Sequence, residues 1–114
     1  MNIGLSLKQL NQIVEALEQF ENIKKAIVFG SRAKGNQKNG SDIDIAIVAE
    51  GLEFRKMCEI GSKLEDLDLP YKIDIVDYNG INNKELKEHI DRVGISLFTR
   101  IDAKKHSIPQ ITVI

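Results

Sequence analysis

Apolar residues recur at helical spacing near the start of the chain. Leu7, Leu10, Val14 and Leu17 form a stripe that Ile13 and Phe20 widen. Ser6 and Gln9 can make a capping box ahead of it, and Leu5 can staple onto Leu10, so a first helix is expected there. The period then changes. Ala26-Ile27-Val28-Phe29 is a short, β-rich apolar run that stops at Gly30 and reads as a buried strand. Residues 30 to 41 carry Gly35, Asn36, Asn39 and Gly40, which mark a loop with room for a helical turn just after Ser31. Ser41 to Val48 alternates polar and apolar positions and predicts a second strand.

Helical spacing returns from Leu52 to Asp66, with Phe54, Met57, Ile60 or Gly61, and Leu64 on the expected inward face. Leu69-Pro70 ends that helix, and Lys72 to Val76 is a third strand. Asn82 to Val93 predicts a third helix, with Asn82 and Glu85 as its cap, Leu86, Ile90 and Val93 facing inward, and Gly94 as its stop. Strands interleaved with helices imply an α/β or α+β layer, with helices packed on one face of a small sheet. The link between the first two strands suits a hairpin better than a crossover holding a full helix, so the sheet should be mixed.

Composition narrows this picture. The chain's 114 residues suit one domain, expected over residues 1–107, followed by an apolar tail at 108–114. Sixteen basic and 17 acidic residues give a net charge of −1, which argues against stable nucleic-acid binding. The single cysteine, Cys58, excludes an internal disulfide and a Cys-rich metal site. With no signal peptide pattern and no apolar run of membrane-spanning length, a cytoplasmic location is expected.

The second strand carries the candidate chemistry. Ile43, Ile45 and Ile47 share one face, while Asp42, Asp44, Ala46 and Val48 share the other. Two carboxylates thus stand ~6.6 Å apart along one strand. At an effective dielectric near 20 they repel by ~2.5 kcal/mol, and aspartate is depleted in strands. A hard divalent cation, Mg²⁺ above all, would offset that cost. In the third strand Ile73 and Ile75 share one face, which sends Asp74 to the carboxylate side; Asp77 is a rival on the other parity. Three carboxylates on neighbouring strands suit a site for two Mg²⁺ ions, with Asp74 either as a ligand on the nucleophile side or as general base. Gly30 lets a phosphate approach the backbone, Ser31 offers a hydroxyl and an N–H, and Arg32 and Lys34 supply positive charge. Gly30 to Gly35 imitates a Walker A start, but Asn36-Gln37 replaces the required Lys-Ser/Thr pair. Asp42-x-Asp44 imitates an EF-hand start, but Ala46 and Ile47 stand at the third-ligand and glycine positions.

Gly30-Ser31-Arg32-Ala33-Lys34-Gly35, followed by Gly40-Ser41-Asp42-Ile43-Asp44-Ile45-Ala46-Ile47-Val48, resembles the signature of the DNA polymerase beta nucleotidyltransferase superfamily. The short chain is similar to its minimal nucleotidyltransferase (MNT) branch. The resemblance implies a mixed sheet with flanking helices. It also implies Mg²⁺-dependent transfer of a nucleoside monophosphate from an NTP, expected to be ATP, to a hydroxyl acceptor, with release of pyrophosphate. By that match Asp42 and Asp44 are metal ligands, Asp74 is the third carboxylate, and Gly30 and Ser31 hold the triphosphate. Lys34 stands where relatives often carry arginine, and lysine lacks the two-pronged grip of a guanidinium. The resemblance also implies a partner: relatives of this size are often paired with an all-helical HEPN-type protein, and in some pairs they act as an antitoxin that adenylylates it. A homodimer or heterotetramer is compatible with such pairing.

The other chemically capable residues have simpler readings. His89 and His106 are expected to be solvated, Cys58 to fill core space, Phe54 and Met57 to face the core, and Glu65, Asp66 and Asp68 to form a solvated helix end. Ile108 to Ile114 reads as an edge strand or as a partner-docking strand. A non-catalytic subunit that holds nucleotide or a partner is the alternative function. A sugar-nucleotide transferase built on Asp42-x-Asp44 would need a longer chain.

Overall fold

The computed structural model describes residues 3–38 and 40–100. The apolar tail and His106 lie outside these residues. The described elements are α1 (Leu7–Glu18), β1 (Ile23–Phe29), α2 (Ser31–Lys34), β2 (Ile43–Ala49), α3 (Phe54–Glu65), β3 (Ile73–Asp77), a 3-10 turn (Tyr78–Gly80), α4 (Lys84–Val93) and β4 (Ile95–Thr99).

Local chemistry explains the helix starts. Ser6 accepts from the Gln9 N–H at 3.1 Å, and the Gln9 side chain accepts from the Ser6 N–H at 2.9 Å, which completes the expected capping box of α1. The cap of α4 is Asn83 rather than Asn82: its side chain accepts from the Leu86 N–H at 3.1 Å. The helix therefore begins one residue later than expected.

The strands form one sheet in the order β3-β2-β1-β4. β1 pairs antiparallel with both β2 and β4, while β2 and β3 run parallel, so the sheet is mixed as the connection lengths implied. β4 was not foreseen. It follows directly on Gly94 and closes the edge beside β1.

Strand alternation decides the two faces. Ile43, Ile45 and Ile47 of β2 are fully buried in a core with Ala26 and Val28 of β1, Ile13 and Leu17 of α1, and Ile60 and Leu64 of α3. The opposite face buries Ala46 with Ile27, Phe29 and Ile90 of α4, and Val48, Val76 and Leu86 pack against them. Helices therefore cover both faces, not one: α4 closes the face that α1 and α3 leave. The Tyr78 hydroxyl donates to Asp91 Oδ1 at 2.6 Å and ties α4 to the end of β3; that bond is the main cause raising the phenol pKa.

Three side chains expected on inward faces are outside the core. Leu7 at the start of α1 is 73% exposed, Phe54 is 83% exposed and Cys58 is exposed. The buried face of α3 runs through Ile60 and Leu64, and Phe54 and Cys58 lie off that line. Among the described residues, no helix is long and apolar enough to cross a membrane.

Candidate functional site

β1 ends and β2 begins at the same end of the sheet. Their last antiparallel pair joins Phe29 to Asp44, so Gly30 leaves β1 beside the first residues of β2. β3 enters parallel to β2 with Asp44 opposite Asp74, held by the Ile43 N–H donating to the Lys72 carbonyl at 2.8 Å. The pairings bring Gly30, Asp44 and Asp74 to adjacent positions on three strands, with Asp42 one residue before β2. Asp77, the rival carboxylate, pairs with Ile47 further along the sheet, and its side chain accepts from the Asn79 N–H as a turn cap.

Gly30 has φ +78° and ψ −152°, a conformation that L side chains rarely adopt. A Cβ at that position would lie 2.5 Å from Asp44 Oδ2. The glycine is therefore required twice, by the backbone turn and by the carboxylate packed against it. Ser31 follows, partly exposed, as the first residue of the short α2.

The electrostatics single out Asp44. Burial raises its pKa first, and the charges of Asp74 and Asp42 raise it further, while His89 opposes the shift. The like-charge repulsion expected from alternation is thus present, and it involves all three aspartates. Asp74 Oδ1 lies 3.6 Å from Lys72 Nζ, an ion pair between an exposed lysine and a half-exposed aspartate. Among the described residues, no group of three or more His, Cys, Asp or Glu side chains stands close enough together to hold an ion as placed. The donor set still suits a hard divalent cation: these are carboxylate oxygens of one sign on neighbouring register positions, whose mutual repulsion a cation would relieve.

The cationic candidates fare differently. Lys34 is exposed at the end of α2. Arg32 is 2% exposed, and its guanidinium is turned to the main chain. Nη1 donates to the carbonyls of Ile3 at 2.8 Å and Gly4 at 3.3 Å, Nη2 to Ser41 at 2.8 Å, and Nε to Ser41 and Asp42, both at 3.3 Å. The Tyr71 ring stacks on it at 4.5 Å. The structure brings Arg32 to the backbone that carries Asp42, not to the open edge where a phosphate tail would lie.

His89 corrects the expectation of a solvated side chain. It is partly buried, its Nε2 accepts from the Gly30 N–H at 3.2 Å, and its ring meets Phe29 edge-on with centroids 6.2 Å apart. The signal was available: residue 89 lies three after Leu86 and four before Val93, on the same face of α4. Along the outer edge of β3, a cleft of about 480 Å³ runs between Leu64, Leu69, Tyr71 and Ile73, with Asp74 in its wall.

The family model described as "Polymerase beta, Nucleotidyltransferase" matches residues 11–103. A protein of Methanocaldococcus jannaschii that carries the name "Putative protein adenylyltransferase MJ1217" is 36% identical over 93 residues, covering 75% of this chain and 94% of its own length. A chain in a crystal structure of a toxin-antitoxin with AMP-PNP superposes with a TM-score of 0.68 at 26% identity, covering 91% of this chain and 85% of that one. A chain in a structure of the tri-AMPylated Shewanella oneidensis HEPN toxin in complex with MNT antitoxin shares the fold, with a TM-score of 0.63 at 23% identity over 93% of this chain and 83% of that one. The turn at Gly30 and the paired strands behind it sit within the matched region, and the chain belongs to the polymerase beta nucleotidyltransferase family.

Proposed function

We propose that this chain transfers AMP from ATP to a hydroxyl on a partner protein, with Asp42, Asp44 and Asp74 as the catalytic carboxylates. The observation that carries this reading is the register: Asp44 stands opposite Asp74 on β3, and Gly30 is packed against its carboxylate. The adenylyltransferase name of the M. jannaschii relative and the toxin-antitoxin structure with AMP-PNP support ATP as donor and a protein as acceptor.

The three aspartates would hold Mg²⁺, two ions in the arrangement expected for this chemistry. Bound there, Mg²⁺ supplies charge neutralisation at the transferring phosphoryl group and makes the attacking hydroxyl more acidic. The chain's own groups do the rest. Gly30 and Ser31 seat the triphosphate, with the exposed Lys34 as a nearby positive charge. The acceptor oxygen attacks the α-phosphorus while the bond to the bridging oxygen breaks, and pyrophosphate leaves. The hydroxyl proton passes to a carboxylate oxygen of Asp74. The cleft along the outer edge of β3, which has Asp74 in its lining, is where this reading would bring in the partner. Arg32 serves this reading indirectly, by fixing the backbone at Ser41 and Asp42.

The test is label transfer from α-labelled ATP with Mg²⁺, using the chain co-purified with the product of the adjacent reading frame. Intact mass should show the partner heavier by one nucleotide. Asp42→Asn and Asp44→Asn should each lower transfer by at least ~10²-fold, the size seen when a group acting on transition-state charge is removed. Full transfer by either variant would refute the assignment. A non-catalytic subunit that holds nucleotide or a partner is the second reading. Tight partner binding without label transfer, across a broad set of acceptors, would select it.

A further inference from the structure

We propose that His89 is a positioning residue for the phosphate-binding turn: by accepting the Gly30 N–H at Nε2, it sets the orientation in which Gly30 and Ser31 meet the nucleotide. The inference rests on the reading that this turn holds the triphosphate.

The face of α4 that lies on the sheet needs only apolar residues to cover Ile27, Phe29 and Ala46, and Leu86 and Ile90 supply them. A partly buried imidazole between those two is not required for packing. It stands where one backbone donor needs an acceptor. Gly30 lies beyond the last pair of the β1–β2 ladder, Phe29 with Asp44, and its N–H donates to His89 instead. A glycine has the widest choice of backbone conformations of any residue, so a single hydrogen bond has unusual influence over which one it holds. Asp44 Oδ2 occupies the space a Cβ would fill, which keeps the position a glycine, and His89 takes the N–H from the opposite element, which fixes how that glycine is held. The edge-on contact with Phe29 holds the imidazole ring in place for this. With the Gly30 N–H committed to α4, Ser31 contributes the N–H and hydroxyl that remain for a phosphate. The histidine thereby couples a helix 59 residues away in sequence to the turn that must fit the substrate.

His89→Phe keeps an aromatic ring against Phe29 and removes the acceptor. His89→Gln keeps an acceptor of similar reach. His89→Leu, apolar like its neighbours, stands in for the phenylalanine variant should that one not fold. ATP affinity with Mg²⁺, by calorimetry, and the exchange rate of the Gly30 amide, by NMR without nucleotide, are measured on each. The expected result is about three- to tenfold weaker ATP binding in the variants lacking an acceptor, the scale of one lost hydrogen bond, with KM for ATP raised more than kcat is lowered. Gly30 amide exchange should accelerate in the same variants, and glutamine should restore both readouts. Unchanged Gly30 exchange in His89→Phe or His89→Leu would overturn the contact. Faster exchange with unchanged ATP affinity would reduce it to a packing role and overturn the positioning. Wild-type protein that binds no ATP would remove the phosphate reading and the proposal with it, a failure seen before any variant is made.

Discussion

Asp44 illustrates the tension between stability and chemistry at a single residue. Burial and the charges of Asp74 and Asp42 raise its pKa, so the folded chain binds a proton there more tightly than the unfolded chain does. The linkage sign follows: stability falls as pH rises from the ordinary carboxylate pKa through the raised one, and the ionised residue destabilises the metal-free fold above that window. Asp44→Asn should therefore raise the melting temperature of metal-free protein at neutral pH by a few degrees, and should flatten its decline across the acid range. Mg²⁺ should raise the melting temperature of wild type and leave the variant nearly unmoved; scanning calorimetry with and without Mg²⁺ reads both. Arg32 is the opposite case, a charge that holds structure together. Its fork geometry reaches carbonyls of Ile3, Gly4, Ser41 and Asp42 at once, and lysine can satisfy only part of that set. Arg32→Lys should cost about 1–3 kcal/mol in urea unfolding, the range for buried polar groups left without partners, and should lower transfer through a loosened Asp42.

At the scale of elements, α3 shows how a stripe becomes legible only when its axis is known. Ile60 and Leu64 are the buried pair, and Phe54, six residues before Ile60, sits about 120° around the helix from it. Phe54→Ser should change the stability of the isolated chain by no more than about 0.5 kcal/mol, as surface substitutions do. Ile60→Ala should cost about 2–5 kcal/mol, as buried large-to-small changes do, and urea titration of the pair separates the two. The same logic explains what the sequence could and could not reveal. The strand β2 was readable because Ile43, Ile45 and Ile47 alternate with the aspartates, and alternation assigns faces without knowledge of neighbours. The register that sets Asp74 opposite Asp44 follows from the same alternation in β3. β4 was not readable, because Ile95 to Thr99 is short and the adjacent Leu97 and Phe98 break its alternation. The spacing of His89 from Leu86 and Val93 marks its face of α4, but its partner, the Gly30 N–H, is 59 residues away, and the backbone role of Arg32 depends on carbonyls of Ile3 and Gly4 far away in sequence. Contacts between distant segments are the part that local pattern does not encode.

On the scale of the whole molecule, the sheet order puts one of the candidate carboxylates, Asp74, on an outer strand. β1 and β2 are interior strands, while β3 is an outer strand, with the cleft of about 480 Å³ beside Asp74 opening along it. α1 and α3 cover one face of the sheet and α4 the other, so the described helices are spent on making the core rather than on reading an acceptor. The net charge of −1 supplies no electrostatic footprint for a nucleic-acid acceptor. Acceptor recognition is thus expected to come from a partner chain that approaches along β3. Two measurable consequences separate this from a self-sufficient enzyme. The chain by itself should bind ATP with Mg²⁺, yet release pyrophosphate slowly, because no hydroxyl is positioned at the α-phosphorus. Addition of the partner should raise the rate by two orders of magnitude or more, since holding the reactants in place is worth ~7–11 kcal/mol when complete. Substituting Leu69 in the cleft wall by arginine should then lower the partner-dependent rate while leaving ATP affinity of the isolated chain within about twofold, because Leu69 lines the cleft and not the phosphate turn. Equal pyrophosphate release with and without partner would place the acceptor site inside this chain instead.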